Sequence, residues 1–287
     1  MISRARTCLG AVAILVAGCA RQDAPVPTPD TPQRVVVFAP SAAEALDALD
    51  LSDRVVAVGS HGRWPEAIAS LETAGSFDRP DLERILDLQC DLVLTTASVA
   101  AADGYRRLEQ LGVAVEPLDT STFDGAFASF VRIGELFDRS AEAAAIVKSM
   151  RDGLADVEAA TAGLAAKDVL VIVGRDPFYV AGPGSHLDEL VRIGGGTNVA
   201  HDASSPYQQF SIEAVLERGP EVIIDTSGDG GYWSRWPFLP AVRDGRVYRV
   251  DPDVLAIPGM RLPEMARSMA ERIHPSAFET TTDATDD

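Results

Sequence analysis

From Arg34 onward, short runs of β-branched and aliphatic residues alternate with longer segments of helical periodicity. Val35-Val36-Val37-Phe38 is apolar at every position, the pattern of a strand buried on both faces. Ser41 to Leu49 then predicts a helix, with Ser41 as N-cap and Glu44 three residues later completing a capping box. Strands follow at Val55–Val58, Asp91–Leu94 and Val113–Val115. Helices fall over Leu82–Leu88, Gly104–Leu111 and Phe123–Phe137, with a loop from Gly59 to Trp64. The centre differs. Ala141 to Leu164 holds no proline, is rich in helix formers, and carries Ile146, Met150, Leu154 and Val157 as one apolar stripe. At ~1.5 Å per residue it would reach ~36 Å, about the width of a domain. Strand and helix runs then resume: Val169–Val173, a helix over Ser185–Ile193, a short one over Glu213–Glu217, strands at Glu221–Ile224 and Val247–Val250, and a last helix over Pro263–Ile273. Nearly continuous apolar strands in βα alternation predict parallel sheets covered on both faces.

The second half echoes the first. Asp81 to Leu94 aligns without gaps on Ser211 to Ile224, 130 residues on, each reading cap, short helix, turn, acidic residue and buried strand. Ser41–Leu49 likewise matches Ser185–Ile193, with Glu44 opposite Asp188. Two echoes in the same order point to duplicated lobes. Two α/β lobes joined by one long helix leave a cleft between them.

The first residues have their own logic. Arg4 and Arg6 precede an uncharged, mostly apolar run from Thr7 to Ala20, shorter than the ~20 residues a membrane-crossing helix needs. The run ends in Leu15-Val16-Ala17-Gly18-Cys19, which resembles a bacterial lipobox; the resemblance implies cleavage before Cys19 and a lipid on its thiol. Residues 1–18 are therefore expected to be a lipoprotein signal peptide. Residues 19–33, with Pro25, Pro27, Pro29 and Pro32, are expected to be a semi-extended tether. The lobes are placed at 34–138 and 166–276, the connecting helix at 139–165, and an acidic disordered tail at 277–287.

Charge narrows the field. Against 43 Asp and Glu stand 25 Lys and Arg, a net −18, and no stretch clusters the cations that a phosphate backbone requires. A nucleic-acid partner is excluded. Of the three cysteines, Cys8 leaves with the signal and Cys19 takes the lipid, so Cys90 has no intrachain partner and reads as a small buried hydrophobe.

Taken together, Leu82-Glu83-Arg84-Ile85-Leu86 with Asp91-Leu92-Val93-Leu94, and Phe210-Ser211-Ile212-Glu213 with Glu221-Val222-Ile223-Ile224, resemble the periplasmic substrate-binding proteins of ATP-driven importers for cobalamin, iron-siderophores and haem. The lipobox and the closing stretches Arg246–Asp253 and Pro258–Leu262 support the likeness, which spans about Arg34 to Pro275. The closing stretch, and Ser205-Pro206-Tyr207 before Phe210, look most like cobalamin binders. The resemblance implies an α/β fold of two Rossmann-like lobes with parallel sheets, joined by one long interdomain helix. It implies a lipid-anchored, extracytoplasmic, monomeric carrier that delivers a corrinoid to ABC-importer permease subunits, with a siderophore or haem as the alternative cargo. There would be no cofactor and no catalysis. Two departures stand out: Cys90 lies where the pattern has a proline, as Pro220 does in the second block, and Ser60-His61-Gly62-Arg63-Trp64-Pro65 lacks the tyrosine expected of a cobalamin binder.

By the same resemblance Glu83 and Glu213 are paired docking carboxylates for permease arginines. A carboxylate in a first helical turn is favoured by the helix dipole and can still face outward, although the same position also suits simple capping. Ser41, His61, Trp64, Phe77, Tyr207, Trp233 and Trp236 are the ligand-binding candidates. Loops at strand carboxyl ends face the crevice in α/β folds, and aromatic walls with a few polar groups suit a large amphipathic ligand. No two of His61, His186, His201 and His274 have helical ligand spacing, so no metal site is expected; His61 could at most make an axial contact to a bound chelate. A secreted enzyme on the same scaffold is the remote alternative. Gly-x-Ser-x-Gly, His-Glu-x-x-His and Cys-x-x-Cys are all absent.

Overall fold

Alternate residues of each buried strand feed different packing layers, and those layers define the architecture. A computed structural model describes residues 31–227, 230–251 and 258–278. In chain order the elements of the first lobe are β1 (Val35–Val37), α1 (Pro40–Ala48), β2 (Val55–Val58), β3 (Gly75–Ser76), β4 (Arg79–Pro80), α2 (Leu82–Asp87), β5 (Leu92–Thr96), α3 (Asp103–Gln110), β6 (Ala114–Leu118) and α4 (Phe123–Leu136). The connector is α5 (Ser140–Thr161). The second lobe has β7 (Lys167–Arg175), β8 (Phe178–Ala181), α6 (His186–Ile193), β9 (Gly196–Asn198), β10 (Tyr207–Gln209), α7 (Ile212–Arg218), β11 (Val222–Asp225), α8 (Pro240–Arg243), β12 (Val247–Arg249), α9 (Leu262–Ile273) and α10 (Pro275–Phe278).

The first sheet has the order β2-β1-β5-β6, and every pairing is parallel. Val36 and Val93 point to one face, against Ile85, Tyr105 and Leu108. Val35, Val37, Leu92 and Leu94 point to the other, against α1 and α4. Both faces are covered, as the unbroken apolar runs require.

The second sheet departs from the expectation of a purely parallel one. Its order is β10-β8-β7-β11-β12, with β9 beside the start of β7. β7, β9, β11 and β12 are parallel, whereas β8 runs antiparallel to β7 and β10 antiparallel to β8. The hairpin β7–β8 turns at Asp176-Pro177, a cis peptide. A two-residue turn leaves no room for a crossover helix, so the return strand must be antiparallel.

The connector is legible in its stripe. Met150, Leu154 and Val157 are buried and Ile146 is half-buried, all in one apolar cluster that runs from the first sheet through α5 to the second. Burying each such side chain contributes about 1.5–3 kcal/mol. Helix α9 packs so closely on α5 that a Cβ at Gly153 would lie 2.9 Å from Pro263 Cβ.

Three local expectations are corrected. Helix α1 begins at Pro40 with Ala39 as N-cap, so Ser41 lies inside the first turn and caps nothing. Proline at the first helical position presets φ and starts the helix earlier. Glu44 does not close a capping box; its carboxylate accepts the Met260 N–H of the second lobe at 3.0 Å. Ala277 and Phe278, placed in the tail, belong to α10. The signal peptide, Cys19, most of the tether and the remaining tail lie outside the described residues.

Candidate functional site

Both lobes expose a rim of loops at the carboxyl ends of their parallel strands, where ligands of α/β folds bind. In the first lobe, Trp64 lies in the loop after β2, with its ring over two glycines: Cβ atoms at Gly59 and Gly62 would sit 3.6 and 3.1 Å from Trp64 Cζ2. Half-buried, it borders a cavity of about 400 Å³ with Glu44, Arg63, Met260 and Arg261. His61 in the same loop is exposed, its Nδ1 2.9 Å from Ser60 Oγ. Phe77 tips the β3–β4 hairpin with 46% of its surface exposed. Its carbonyl accepts the Tyr105 hydroxyl at 2.6 Å, which ties the hairpin to α3. Ser41 is corrected: it is buried at the lobe junction, its Cβ 3.7 Å from where a Cβ on Gly259 would stand, and does not open to the crevice.

In the second lobe Tyr207 opens β10, 45% exposed, with its hydroxyl 3.4 Å from His186 Nδ1. Burial of that hydroxyl pushes the phenol pKa up. His186 lines a second cavity of about 400 Å³ between α4, α5 and α6, with Phe127, Arg151, Leu154 and Arg192. Trp233 is the main correction among the aromatics. It is 1% exposed, packs edge-on against Phe178 and Tyr232, and donates its indole N–H to Asp225 Oδ2 at 2.8 Å. A buried indole needs a partner for its N–H, and Asp225 supplies one inside the lobe, so Trp233 is core. Trp236 stays half-buried, 5.1 Å from the Tyr232 ring.

Asp225 was not foreseen. It ends β11, 3% exposed, and accepts from the Ser227 amide and hydroxyl and from Trp233, with an ion pair to Arg175 at the end of β7. Burial acts to raise its pKa, and these donors outweigh it, leaving the carboxyl below its ordinary value. Its signal was an acidic residue ending a buried strand run. Tyr232, with the Arg175 guanidinium 4.4 Å from its ring centroid, was also missed.

Glu83 and Glu213 take equivalent places. Each sits in the first turn of a short helix, α2 or α7, that leads back to the start of β5 or β11. A helix that ends where a strand starts begins near that sheet's carboxyl-end edge, so both glutamates lie on the rim side. Both are exposed. Capping falls to the preceding residue in each case: Asp81 accepts the Arg84 N–H at 3.0 Å and Ser211 the Ala214 N–H at 3.2 Å. Glu213 keeps a local tie, its own N–H and the Ser211 hydroxyl lowering its pKa.

No single cavity among the described residues collects all the ligand candidates. Trp64 borders the cavity near α1, and Tyr207 touches the wall of the one near α5. No group of three or more His, Cys, Asp or Glu converges on a metal position among the described residues. His274 is buried with Nε2 3.1 Å from Gly195 O, so it braces a turn.

The comparisons with known proteins agree with this architecture. A model of the periplasmic binding protein family matches residues 35–254. An uncharacterised ABC transporter substrate-binding lipoprotein of Bacillus subtilis, YvrC, is 30% identical over 264 residues, covering 86% of this chain and 82% of that protein. A vitamin B12-binding protein of Vibrio parahaemolyticus is 27% identical over 233 residues, covering 80% and 85%. Among solved structures, the periplasmic haem-binding protein RhuT of Roseiflexus superposes with a TM-score of 0.76 at 21% identity, covering 85% of this chain and 99% of that one.

Proposed function

Because the chain belongs to the periplasmic binding protein family, we propose that it is the substrate-binding component of an ABC importer that captures a corrinoid between its lobes and hands it to membrane permease subunits. The observation that carries this reading is the pairing of Glu83 and Glu213: repeat-equivalent, exposed, in first helical turns whose capping is done by Asp81 and Ser211. A carboxylate released from capping and favoured by its helix dipole can meet a permease arginine in bidentate fashion. Similarity to a substrate-binding lipoprotein and to a vitamin B12-binding protein supports the class and the corrinoid. Exposed Phe77 and Tyr207 and half-buried Trp64 and Trp236 provide aromatic surface for a large amphipathic ligand. The lobes of this carrier are residues 34–138 and 166–276, with 139–165 as a stiff connector that keeps closure modest. Cys19 carries the lipid, and the protein works as a monomer on the extracytoplasmic face. Binding and release, without bond-making, are its whole task.

Haem or a ferric siderophore is the second reading, favoured by the fold shared with a haem-binding protein and by exposed His61 in the first-lobe rim. The test is retention. The chain is mixed with cobalamin, with haem and with a ferric siderophore, desalted, and its visible spectrum read. Stoichiometric corrinoid is expected. Retention of haem or siderophore alone would move the cargo to the second reading, and retention of none would overturn capture of this ligand class.

A further inference from the structure

We infer that Tyr105 is a positioning residue for cargo capture: its hydroxyl holds the Phe77 carbonyl and so fixes the Phe77 ring on the first-lobe rim before a ligand arrives. The inference rests on the capture reading above and names a residue that prepares the cleft without lining it.

The hairpin that carries Phe77 cannot hold its own tip. Strands β3 and β4 have two residues each, paired as Gly75 with Pro80 and Ser76 with Arg79, and Phe77-Asp78 form the turn between them. A two-stranded hairpin is marginal in water even at greater length, and Pro80 has no N–H to give to the ladder. The base is secured from outside. The Ala74 N–H donates to Val58 O at 2.9 Å, the Ser60 N–H to Gly75 O at 2.8 Å, and the Asp81 N–H to Ala74 O at 2.8 Å. Only glycine suits position 75, where φ is +94° and a Cβ would lie 2.6 Å from Arg79 O.

Those base contacts also place the tip. Strand β2 ends at Val58, so the Ser60 bond sets the hairpin at the carboxyl end of the first sheet, beside the loop of His61 and Trp64. The Asp81 bond sets it next to the start of α2, which bears Glu83. Phe77 therefore stands on the rim with 46% of its surface exposed.

Tyr105 supplies the missing hold on the tip. It sits in α3, fully buried, with its ring edge-on to Phe38 at 6.0 Å and its hydroxyl donating to Phe77 O at 2.6 Å. Helix α3 reaches the hairpin closely enough that a Cβ at Gly104 would lie 2.9 Å from Pro80 Cγ. Within the turn, the Ser76 hydroxyl donates to Asp78 Oδ1 at 2.7 Å. A buried phenol needs an acceptor, and many find one inside the core. This one spends its proton on the backbone of an exposed aromatic. A ring whose backbone is already ordered gives up less freedom on meeting a ligand, and that saving appears as affinity.

The test separates positioning from simple stability. Wild type, Tyr105→Phe, Phe77→Ala and the double variant are compared as full chains in detergent, each titrated with whichever of cobalamin, haem or a ferric siderophore wild type retains. Tyr105→Phe keeps the ring against Phe38 and removes only the hydroxyl. It should weaken binding about threefold to tenfold in the wild-type background, and leave affinity unchanged in the Phe77→Ala background. Without any ligand, hydrogen exchange of the 75–80 segment should quicken in Tyr105→Phe while the urea midpoint stays near that of wild type. Equal losses in both backgrounds, or unaltered affinity and exchange in Tyr105→Phe, would overturn the inference. Unaltered affinity in Phe77→Ala would overturn it too, and in each of these cases capture stands. If wild type retains none of the three ligands, the capture reading itself falls, and the positioning role with it.

Discussion

The Glu44 carboxylate accepts the backbone N–H of Met260 at 3.0 Å, joining α1 of the first lobe to the segment that opens α9 of the second. Arg261 Nε lies 3.8 Å from the other carboxylate oxygen, and Arg63 is near enough to add favourable charge. Room for this contact exists because residue 259 is glycine: a Cβ there would stand 2.3 Å from Glu44 Oε2.

Glu44 and Gly259 should therefore be energetically coupled. Glu44→Ala leaves a partly buried N–H without its acceptor and should cost about 1–3 kcal/mol. Gly259→Ala should cost a similar amount by expelling the carboxylate. In a urea double-mutant cycle the second change should add little to the first. Fully additive costs would mean that the two residues act independently.

The same carboxylate gives a pH signature. Burial raises the Glu44 pKa, and the Met260 N–H, Arg261 and Arg63 offset only part of that rise. A carboxyl with a raised folded pKa binds its proton more tightly when folded. Its contribution is full below the unfolded value, about 4.3, and is lost as pH rises through the folded value. Glu44→Gln keeps an acceptor for Met260 without the charge. Its stability relative to wild type should therefore improve as pH climbs through that window, as followed by denaturant midpoints; a difference independent of pH would contradict it.

Trp233 should behave as core. Trp233→Phe removes one donor from buried Asp225 and should cost about 1–3 kcal/mol. Because the Asp225 pKa is depressed, the stability it confers is present above the unfolded pKa and lost as pH falls through the folded one. The destabilisation by Trp233→Phe should thus be larger at neutral pH than in acid, in thermal melts across that range. The reverse trend would show that the indole is not supporting the charged carboxylate.

Cys90 is 7% exposed, donates to Leu92 O at 3.0 Å, and has its thiol pKa pushed up to about 12 by burial. In a chain beginning after Cys19, a thiol reagent at neutral pH should find nothing in the native state and one equivalent after unfolding. Rapid native labelling would show that the site is open.

Long, periodic features were legible in the sequence, and short, pairing-dependent ones were not. The proline-free stripe Met150, Leu154, Val157 marks α5 without ambiguity, and the Asp81 and Ser211 blocks anticipate the matched α2–β5 and α7–β11 units. By contrast β3, β4, β9 and β10 have two or three residues each and exist through their partners. β8, Phe178-Tyr179-Val180-Ala181, is not among the strands expected from the sequence, and its place is set by pairing with β7 and β10. Trp233 stands in a glycine-rich stretch that reads as open loop. Asp225, eight residues earlier at the end of β11, provides the polar partner that lets the indole go inside. Ser41 failed as an N-cap because the signal in Pro40 outranked it. Glu44 was placed on the correct helix, but its partner lies 216 residues away, beyond any local pattern.

The central claim, delivery to a permease through two matched carboxylates, is tested most directly by reconstituting the cognate importer in proteoliposomes and following ligand-dependent ATP hydrolysis and cobalamin uptake. Wild-type protein should stimulate both. Glu83→Ala combined with Glu213→Ala should abolish both while its affinity for cobalamin is unchanged, and each single change should fall between. Full stimulation by the double variant would contradict the assignment of these residues as the docking pair.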